Sequence, residues 1–333
     1  MAGAKVSSGG RRRSDAAAIL EQLADFRATG GDGTLDFAHG ASLRVSSLDK
    51  LYFPDDGITK GDLIQYYTAV SPMLLPLIRD RPLILKRYPD GIAGGSFFQQ
   101  NAGANTPRGV RVAKVSTDPG TRASRIIGGD LLTLLYIVQV GTIAVHAWQS
   151  RLQDLRHADS ATIDLDPGPD VPFSSVVRLA LCVKDELDAL QLRAAVKTSG
   201  SKGIHIVLPL PPKIEFDRAR DVSQRIAERV VERHPDLATV ERRLDARPSG
   251  TIYVDAQQNA EGKSVVVAYS VRERTGATVS APIQWREVRS TLRLQSFTVK
   301  TMPARLRKVG DVWADALKRP NTERAIDRAL RDQ

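Results

Sequence analysis

The sequence predicts an α+β, or mixed α/β, fold built in two modules. Three observations carry that expectation. Strand-like and helix-like stretches are mixed along the chain without strict βα alternation. The length of 333 residues suits two modules or one large domain. With 42% hydrophobic and 26% charged residues, the chain can bury a real core.

The elements follow in order. Residues 1–14 are small, polar and basic, and are expected to be disordered. Residues 15–28 carry Ala18, Leu20, Leu23 and Phe26 near helical spacing, which predicts a short amphipathic helix. TGGDG at 29–33 reads as a linker and 34–58 as short strands and turns. Thr59 opens a helix through a capping box with Asp62, and Leu63, Ile64, Tyr67 and Val70 form its buried stripe. Residues 83–101 read as strand, turn, strand. Residues 103–128 are rich in Gly, Thr, Ser, Arg and Pro with short β-like runs, and the helix LLTLLYIVQVG follows. TIAVHAW (142–148) and ATIDLD (161–166) alternate as strands do. Residues 174–190 predict a helix capped by Ser174 or Ser175. The strand GIHIVLPL (203–210) precedes a helix over 217–233. TIYVDA (251–256) and KSVVVAYSV (263–271) read as strands joined by a polar hairpin, and the last 40 residues as mostly helical and basic. The expected domains are a flexible basic N-terminus with a short helix (1–33), a core of two interleaved modules (34–290), and a helical segment packing on it (291–333).

Composition excludes several classes. Whole-chain disorder is ruled out by the apolar content. A single cysteine, Cys182 in the apolar LALCV, rules out a disulfide scaffold and reads as a core thiol in a reducing, cytoplasmic compartment. No run of 18 apolar residues predicts a membrane span, and the N-terminus lacks a secretory h-region. The formal net charge of +10 suggests an anionic partner, most often nucleic acid, although an arginine-rich composition gives the same surplus without one.

The strongest chemical signal is ATIDLDPGPD. Residues i and i+2 of a strand share a face, so Ile163 and Leu165 point to a core while Asp164 and Asp166 point together to the other side. Two like charges about 7 Å apart at Cα are tolerable when a cation sits between them. Pro167-Gly168 ends the strand and places the pair at a sheet mouth. A hard ion such as Mg²⁺ or Mn²⁺ suits that arrangement, and so does a solvated strand end without any ion. In TIYVDAQQN, Asp255 faces the same way as Tyr253. A third carboxylate on a neighbouring strand would complete a site for two divalent ions.

TSGSKGIH (198–205) supplies the opposite charge. Its glycines allow close backbone approach, so N–H groups can converge on anionic oxygens, with Ser199, Ser201 and Lys202 adding donors. Its spacing is not that of a Walker A loop, and a plain Gly/Ser turn before a strand fits equally well. Ile204, Ile206 and Leu208 face inward, which leaves His205 on the opposite face. His146 lies on the polar face of TIAVHAW, and Arg272 closes AYSVR. KRYPDG followed by Phe97-Phe98 places cations beside aromatics, as nucleic-acid grooves do. Alternation puts one of the two phenylalanines in the core and leaves the other to stack on a base. Lys50 and Lys60 flank the FPDDG turn, where they either hold a phosphate or are merely solvated.

Read in order, LDKLYFP, TKGDLIQYY, LILKRYPDG, SFFQQN, HAW, IDLDPG, SGSKGIHI, YVDAQQN and AYSVR resemble the polymerase domain of bacterial ligase D, a branch of the archaeo-eukaryotic primase (prim-pol) superfamily. The resemblance runs from about residue 42 to 275. It implies an α+β prim-pol fold: an N-terminal α/β module and an RRM-like catalytic module, with mixed or antiparallel sheets around a central cleft. It implies template-directed nucleotidyl transfer, with NTPs or dNTPs added at short gaps or breaks in DNA. Asp164, Asp166 and Asp255 become ligands of two Mn²⁺ or Mg²⁺ ions. Ser199, Lys202, His205 and Arg272 become triphosphate contacts, with Lys86 and His146 on the nucleotide and primer side. Phe98, with Phe97, stacks on the incoming base or template. Lys50 and Lys60 match a pocket for a downstream 5′-phosphate. Arg247, Gln258 and Asn259 become template-side residues or supports of the site. No K-x-D-G ligase signature occurs, so the resemblance implies a stand-alone monomeric polymerase of the actinobacterial type, working with a separate ATP-dependent DNA ligase and other repair proteins. The alternatives in play are a primase acting de novo and a non-catalytic DNA-end binding module.

Overall fold

The computed structural model describes residues 15–118 and 121–331. The disorder expected for residues 1–14 lies outside them. The chain opens with α1 (Asp15–Ala28), the ribbon β1 (Gly33–Asp36) and β2 (Ser42–Val45), and a second ribbon, β3 (Leu51–Phe53) and β4 (Ile58–Thr59). Ile19 and Leu23 are the buried residues of α1, so its inward stripe is set one residue away from Ala18 and Leu20. TGGDG is not wholly linker, because Gly33 already begins β1.

The helix α2 (Lys60–Ile78) starts where the sequence predicts. Thr59 Oγ accepts from the Asp62 N–H at 3.2 Å and the Asp62 carboxylate accepts from the Thr59 N–H at 2.8 Å. Pro72 cannot donate to the Thr68 carbonyl four residues back, and the Ser71 hydroxyl donates to that carbonyl instead, at 2.8 Å. Leu63, Ile64, Tyr67 and Val70 are fully buried.

A four-stranded sheet runs β15–β9–β5–β6, from β5 (Leu83–Arg87), β6 (Phe97–Gln99), β9 (Thr142–Trp148) and β15 (Ser264–Val266). A ribbon of β7 (Val112–Asp118) and β8 (Thr121–Ile126) and the helix α3 (Leu131–Gln139) lie between β6 and β9 in the chain. Ile143, Val145 and Ala147 face the main core, which α2 and α3 also enter. His146 and Trp148 take the other face by alternation.

The larger sheet has the order β13–β14–β10–β12–β11–β16. Its strands are β10 (His157–Pro167), β11 (Ala195–Thr198), β12 (Ile204–Glu215), β13 (Ala238–Thr239), β14 (Ile252–Asp255) and β16 (Pro282–Ile283), antiparallel except for β13 with β14. The helices α4 (Phe173–Ala189) and α5 (Phe216–Arg233) pack against its apolar face, where Ile163, Leu165, Ile204 and Ile206 are fully buried. Arg229 and Arg233 of α5 both pair with Glu186 of α4. The last helices are α6 (Met302–Val309), α7 (Val312–Leu317) and α8 (Glu323–Arg331), of which α8 packs on α5.

Two sequence expectations need correction here. The N-cap of α4 is Pro172, with no side-chain capping bond, so neither Ser174 nor Ser175 caps it. The segments 251–256 and 263–271 do not form a hairpin. β14 joins the larger sheet beside β10, while β15, only three residues long, joins the smaller sheet beside β9. The polar turn between them therefore crosses from one sheet to the other. Tyr67 ties α2 to β9 and to the segment after β15: its hydroxyl donates to the Ile143 carbonyl and accepts from the Val271 N–H at 3.0 Å.

Candidate active site

Strand register builds the site. Asp255, Asp164, His205 and Lys197 stand opposite one another on β14, β10, β12 and β11. Directly opposed residues of an antiparallel sheet share a face, so these four form one row across the sheet. Asp166 lies two residues beyond Asp164, on the same face and at the strand's end. Burial, with the charges of Asp166 and Asp255, pushes Asp164 up to about 7. The three carboxylates predicted to converge do share one surface.

They are held differently. Asp164 and Asp166 line a cavity of about 340 Å³ together with Ser201, Lys202, His205 and Arg272. Asp255 is turned into its own loop: it accepts from the Gln257 N–H at 2.7 Å, the Tyr253 hydroxyl at 3.2 Å and Gln258 Nε2 at 3.3 Å. Arg247 Nη1 sits 3.5 Å from Asp166, its guanidinium stacked 4.5 Å from the Tyr253 ring centre. Among the described residues no three His, Cys, Asp or Glu side chains are already gathered as a metal cluster. The donors nevertheless suit a hard divalent ion: oxygen ligands only, on one face, two of them open to the cavity.

The cationic wall comes from the loop between β11 and β12. Ser199 Oγ accepts from the N–H groups of Ser201 at 3.1 Å and Gly203 at 2.9 Å. Those two N–H groups serve the loop itself, which corrects the expectation that they converge on a ligand. The glycines are required by close approach of protein. A Cβ on Gly200, at φ +70, would lie 2.6 Å from Arg272 Cγ, and one on Gly203 would lie 2.1 Å from the Leu165 carbonyl oxygen. Arg272 Nη1 donates to the Ser199 carbonyl at 2.8 Å, which fixes the guanidinium beside the loop. Arg274 donates to Ser201 Oγ at 3.1 Å and also lines the cavity.

The smaller sheet supplies the facing groups. Lys86 Nζ pairs with Glu273 at 3.1 Å and lies 5.8 Å from the Phe98 ring centre. Burial alone would raise the Glu273 carboxyl, but Arg272 and Lys86 hold it down to about 2. His146 Nε2 is buried without a hydrogen-bond partner, and burial, reinforced by Arg272, pushes its pKa down to about 4. Phe97 and Phe98 are 47% and 64% exposed, so neither belongs to the core. β6 is an edge strand, and the Phe97 ring stacks on Arg87 at 5.2 Å rather than entering the interior.

Lys50 and Lys60 form a separate cationic spot at the β3–β4 ribbon. The Lys60 N–H donates to the Lys50 carbonyl at 2.8 Å, and Lys50 Nζ pairs with Asp90 at 2.5 Å. Lys60 is only 5% exposed, so it is not a solvated lysine. Burial and the Lys50 charge lower its pKa. Asn259 is fully buried and cannot meet a template. It accepts from the Thr162 N–H and Gln149 and donates to the Thr162 and Ala256 carbonyls, which pins the turn after Asp255 against β10. Sequence reasoning missed Lys197, Glu273 and Ser280. Lys197 is a polar residue inside the apolar run AAVKT, and only the register of β11 against β12 shows what it faces.

The family model described as LigD, primase-polymerase domain, matches residues 59–313, most of the chain. The chain belongs to the LigD primase-polymerase family. The multifunctional non-homologous end joining protein LigD of Pseudomonas aeruginosa is 33% identical over 299 residues, which are 88% of this chain and 34% of that protein. The bifunctional LigD of Bacillus subtilis is 35% identical over 282 residues, 84% of this chain and 45% of that protein. The chain thus spans between a third and a half of the length of these LigD relatives. The polymerase domain of Mycobacterium tuberculosis ligase D, solved in complex with DNA, superposes with a TM-score of 0.77 at 28% identity, over 84% of this chain and 99% of that one. The α+β architecture with antiparallel sheets is the LigD polymerase-domain fold.

Proposed function

We propose that the protein is a template-directed nucleotidyltransferase that adds ribo- or deoxyribonucleotides to primer ends at short gaps or breaks in duplex DNA. One observation carries the reading. Two carboxylates, Asp164 and Asp166, adjoin a cationic loop in a single cavity, with Asp255 beside them in the sheet, the charge pattern that phosphoryl transfer requires. A module that only binds DNA has no use for clustered like charges facing phosphate.

Asp164 and Asp166, with Asp255 released from Gln258, would hold two Mn²⁺ or Mg²⁺ ions. When bound, these supply the positive charge that activates the primer 3′-oxygen and stabilises the leaving pyrophosphate. Lys202, Arg272 and Arg274 neutralise the triphosphate, and Ser199 keeps their loop closed. His205 donates to a phosphate oxygen. Lys86 and His146 face the nucleotide and the primer end, and exposed Phe98 offers a ring for base stacking. Lys50 and Lys60 bind the phosphate downstream of a gap. The desolvated Lys60 ammonium gains most from an anionic partner. Arg247, paired to Asp166 and stacked on Tyr253, borders the template side. The DNA-bound relative supports DNA as the partner, and the relatives' names support end joining as the setting.

Primer extension on gapped duplexes tests the reading, with NTPs and dNTPs compared and the downstream 5′-phosphate present or absent. Extension is expected to need the template and to be stronger with the phosphate, and Lys60→Ala is expected to remove that preference. Absence of any templated incorporation would overturn the assignment.

A further inference from the structure

Lys197 is 2% exposed and stands directly opposite His205 in the sheet. Its Nζ is 2.7 Å from Ser280 Oγ and 3.0 Å from His205 Nδ1. The direction of the first bond is fixed by the second partner of Ser280. The Ser280 hydroxyl donates its only proton to the Thr198 carbonyl at 3.0 Å, so towards Lys197 it accepts. In its charged form Lys197 has donors and no acceptor, so His205 Nδ1 accepts from it; burial and Arg272 bring the lysine down to about 7, and the Asp164 carboxylate opposes them. A neutral imidazole carries one proton, which must then reside on Nε2. That nitrogen lines the cavity, 3.5 Å from Asp164 Oδ1.

We propose that Lys197 is a positioning residue that locks His205 in its Nε2–H tautomer, so that the imidazole presents an N–H donor to the phosphate or carboxylate oxygens in the cavity. The proposal rests on the nucleotidyltransferase reading for its consequence, and on the hydrogen-bond chain alone for the tautomer. Lys197 does not reach substrate, because its amine is committed to Ser280 and His205. Metal-bound imidazoles are oriented by the partner of their second nitrogen in the same manner. Here the partner is a lysine, whose charged form only donates and so leaves the proton on the free nitrogen.

The test is ¹⁵N–¹H imidazole spectroscopy of the full chain at neutral pH, with the His205 signals assigned through His205→Gln. Wild type is expected to show unprotonated Nδ1 and protonated Nε2. Lys197→Met is expected to give a mixture of tautomers and to lower kcat/KM for nucleotide by roughly 10- to 100-fold, with DNA affinity unchanged. Ser280→Ala removes the group that aims the amine while keeping the lysine, and is expected to give intermediate values of both. It also serves if Lys197→Met does not fold. An Nδ1–H tautomer in wild type, or an unchanged Nε2–H signal in folded Lys197→Met, would overturn the proposal. A tautomer change in a protein that incorporates no nucleotide would refute the polymerase reading and leave the positioning role standing.

Discussion

At the scale of single residues, the site is a set of charges that would be unfavourable anywhere else. Asp164 sits between two carboxylates and an imidazole, and His146 and His205 are desolvated beside Arg272 and Lys197. A pH dependence of stability follows. The folded pKa of His146 lies near 4, below the ordinary value of 6.5. Between those values the unfolded chain binds the proton and the folded one does not, so stability is fully present above about pH 6.5 and is lost as pH falls towards 4. Urea midpoints are expected to drop across that window, and more shallowly in His146→Gln. The aspartates were legible because a two-residue period puts i and i+2 on one face. Lys197 and Glu273 were not, because a lone lysine in an apolar run and a glutamate in the charged run VRER meet His205, Ser280 and Lys86 only through the fold.

At the scale of elements, local chemistry was read well and long-range pairing was not. The Thr59–Asp62 capping box starts α2 where the sequence places it, since both partners lie within one turn. Thr59→Ala is expected to cost about 1 kcal/mol in denaturant unfolding, and also to loosen Lys60, the first residue of the helix. The segment 251–271 reads as a hairpin because two apolar runs flank a polar turn, and that pattern is the same whether the strands pair with each other or with different sheets. Asn259 resolves the ambiguity in the molecule, with four buried hydrogen bonds that fix the crossing turn. Asn259→Ala strands the Thr162 N–H and is expected to cost about 2–4 kcal/mol, with loss of incorporation at temperatures where the protein remains folded. Restored activity on cooling, in step with the melting curve, would mean that Asn259 contributes only stability.

At the scale of the whole molecule, two sheets with helices behind them share a cleft, and a few buried groups hold the halves in register. Arg81 is the clearest: its Nη2 donates to the carboxylate of Asp159 in β10, and its Nε and Nη1 donate to the carbonyls of Leu77 and Trp148. Arg81→Met removes these bonds and leaves Asp159 with Arg151 alone as its cationic partner among the described residues, and a loss of about 2–4 kcal/mol in denaturant unfolding is expected. The net charge of +10, weak evidence on its own, now has sites: Lys202, Arg272 and Arg274 in the cavity and Lys50 and Lys60 at the ribbon. The central claim is that the carboxylate row makes this cleft catalytic. The most direct measurement is single-nucleotide extension of a templated primer with Mn²⁺, wild type against Asp164→Ala, with DNA binding followed in parallel. The account predicts extension by wild type and none by Asp164→Ala at unchanged DNA affinity. Equal extension by the two proteins would contradict it.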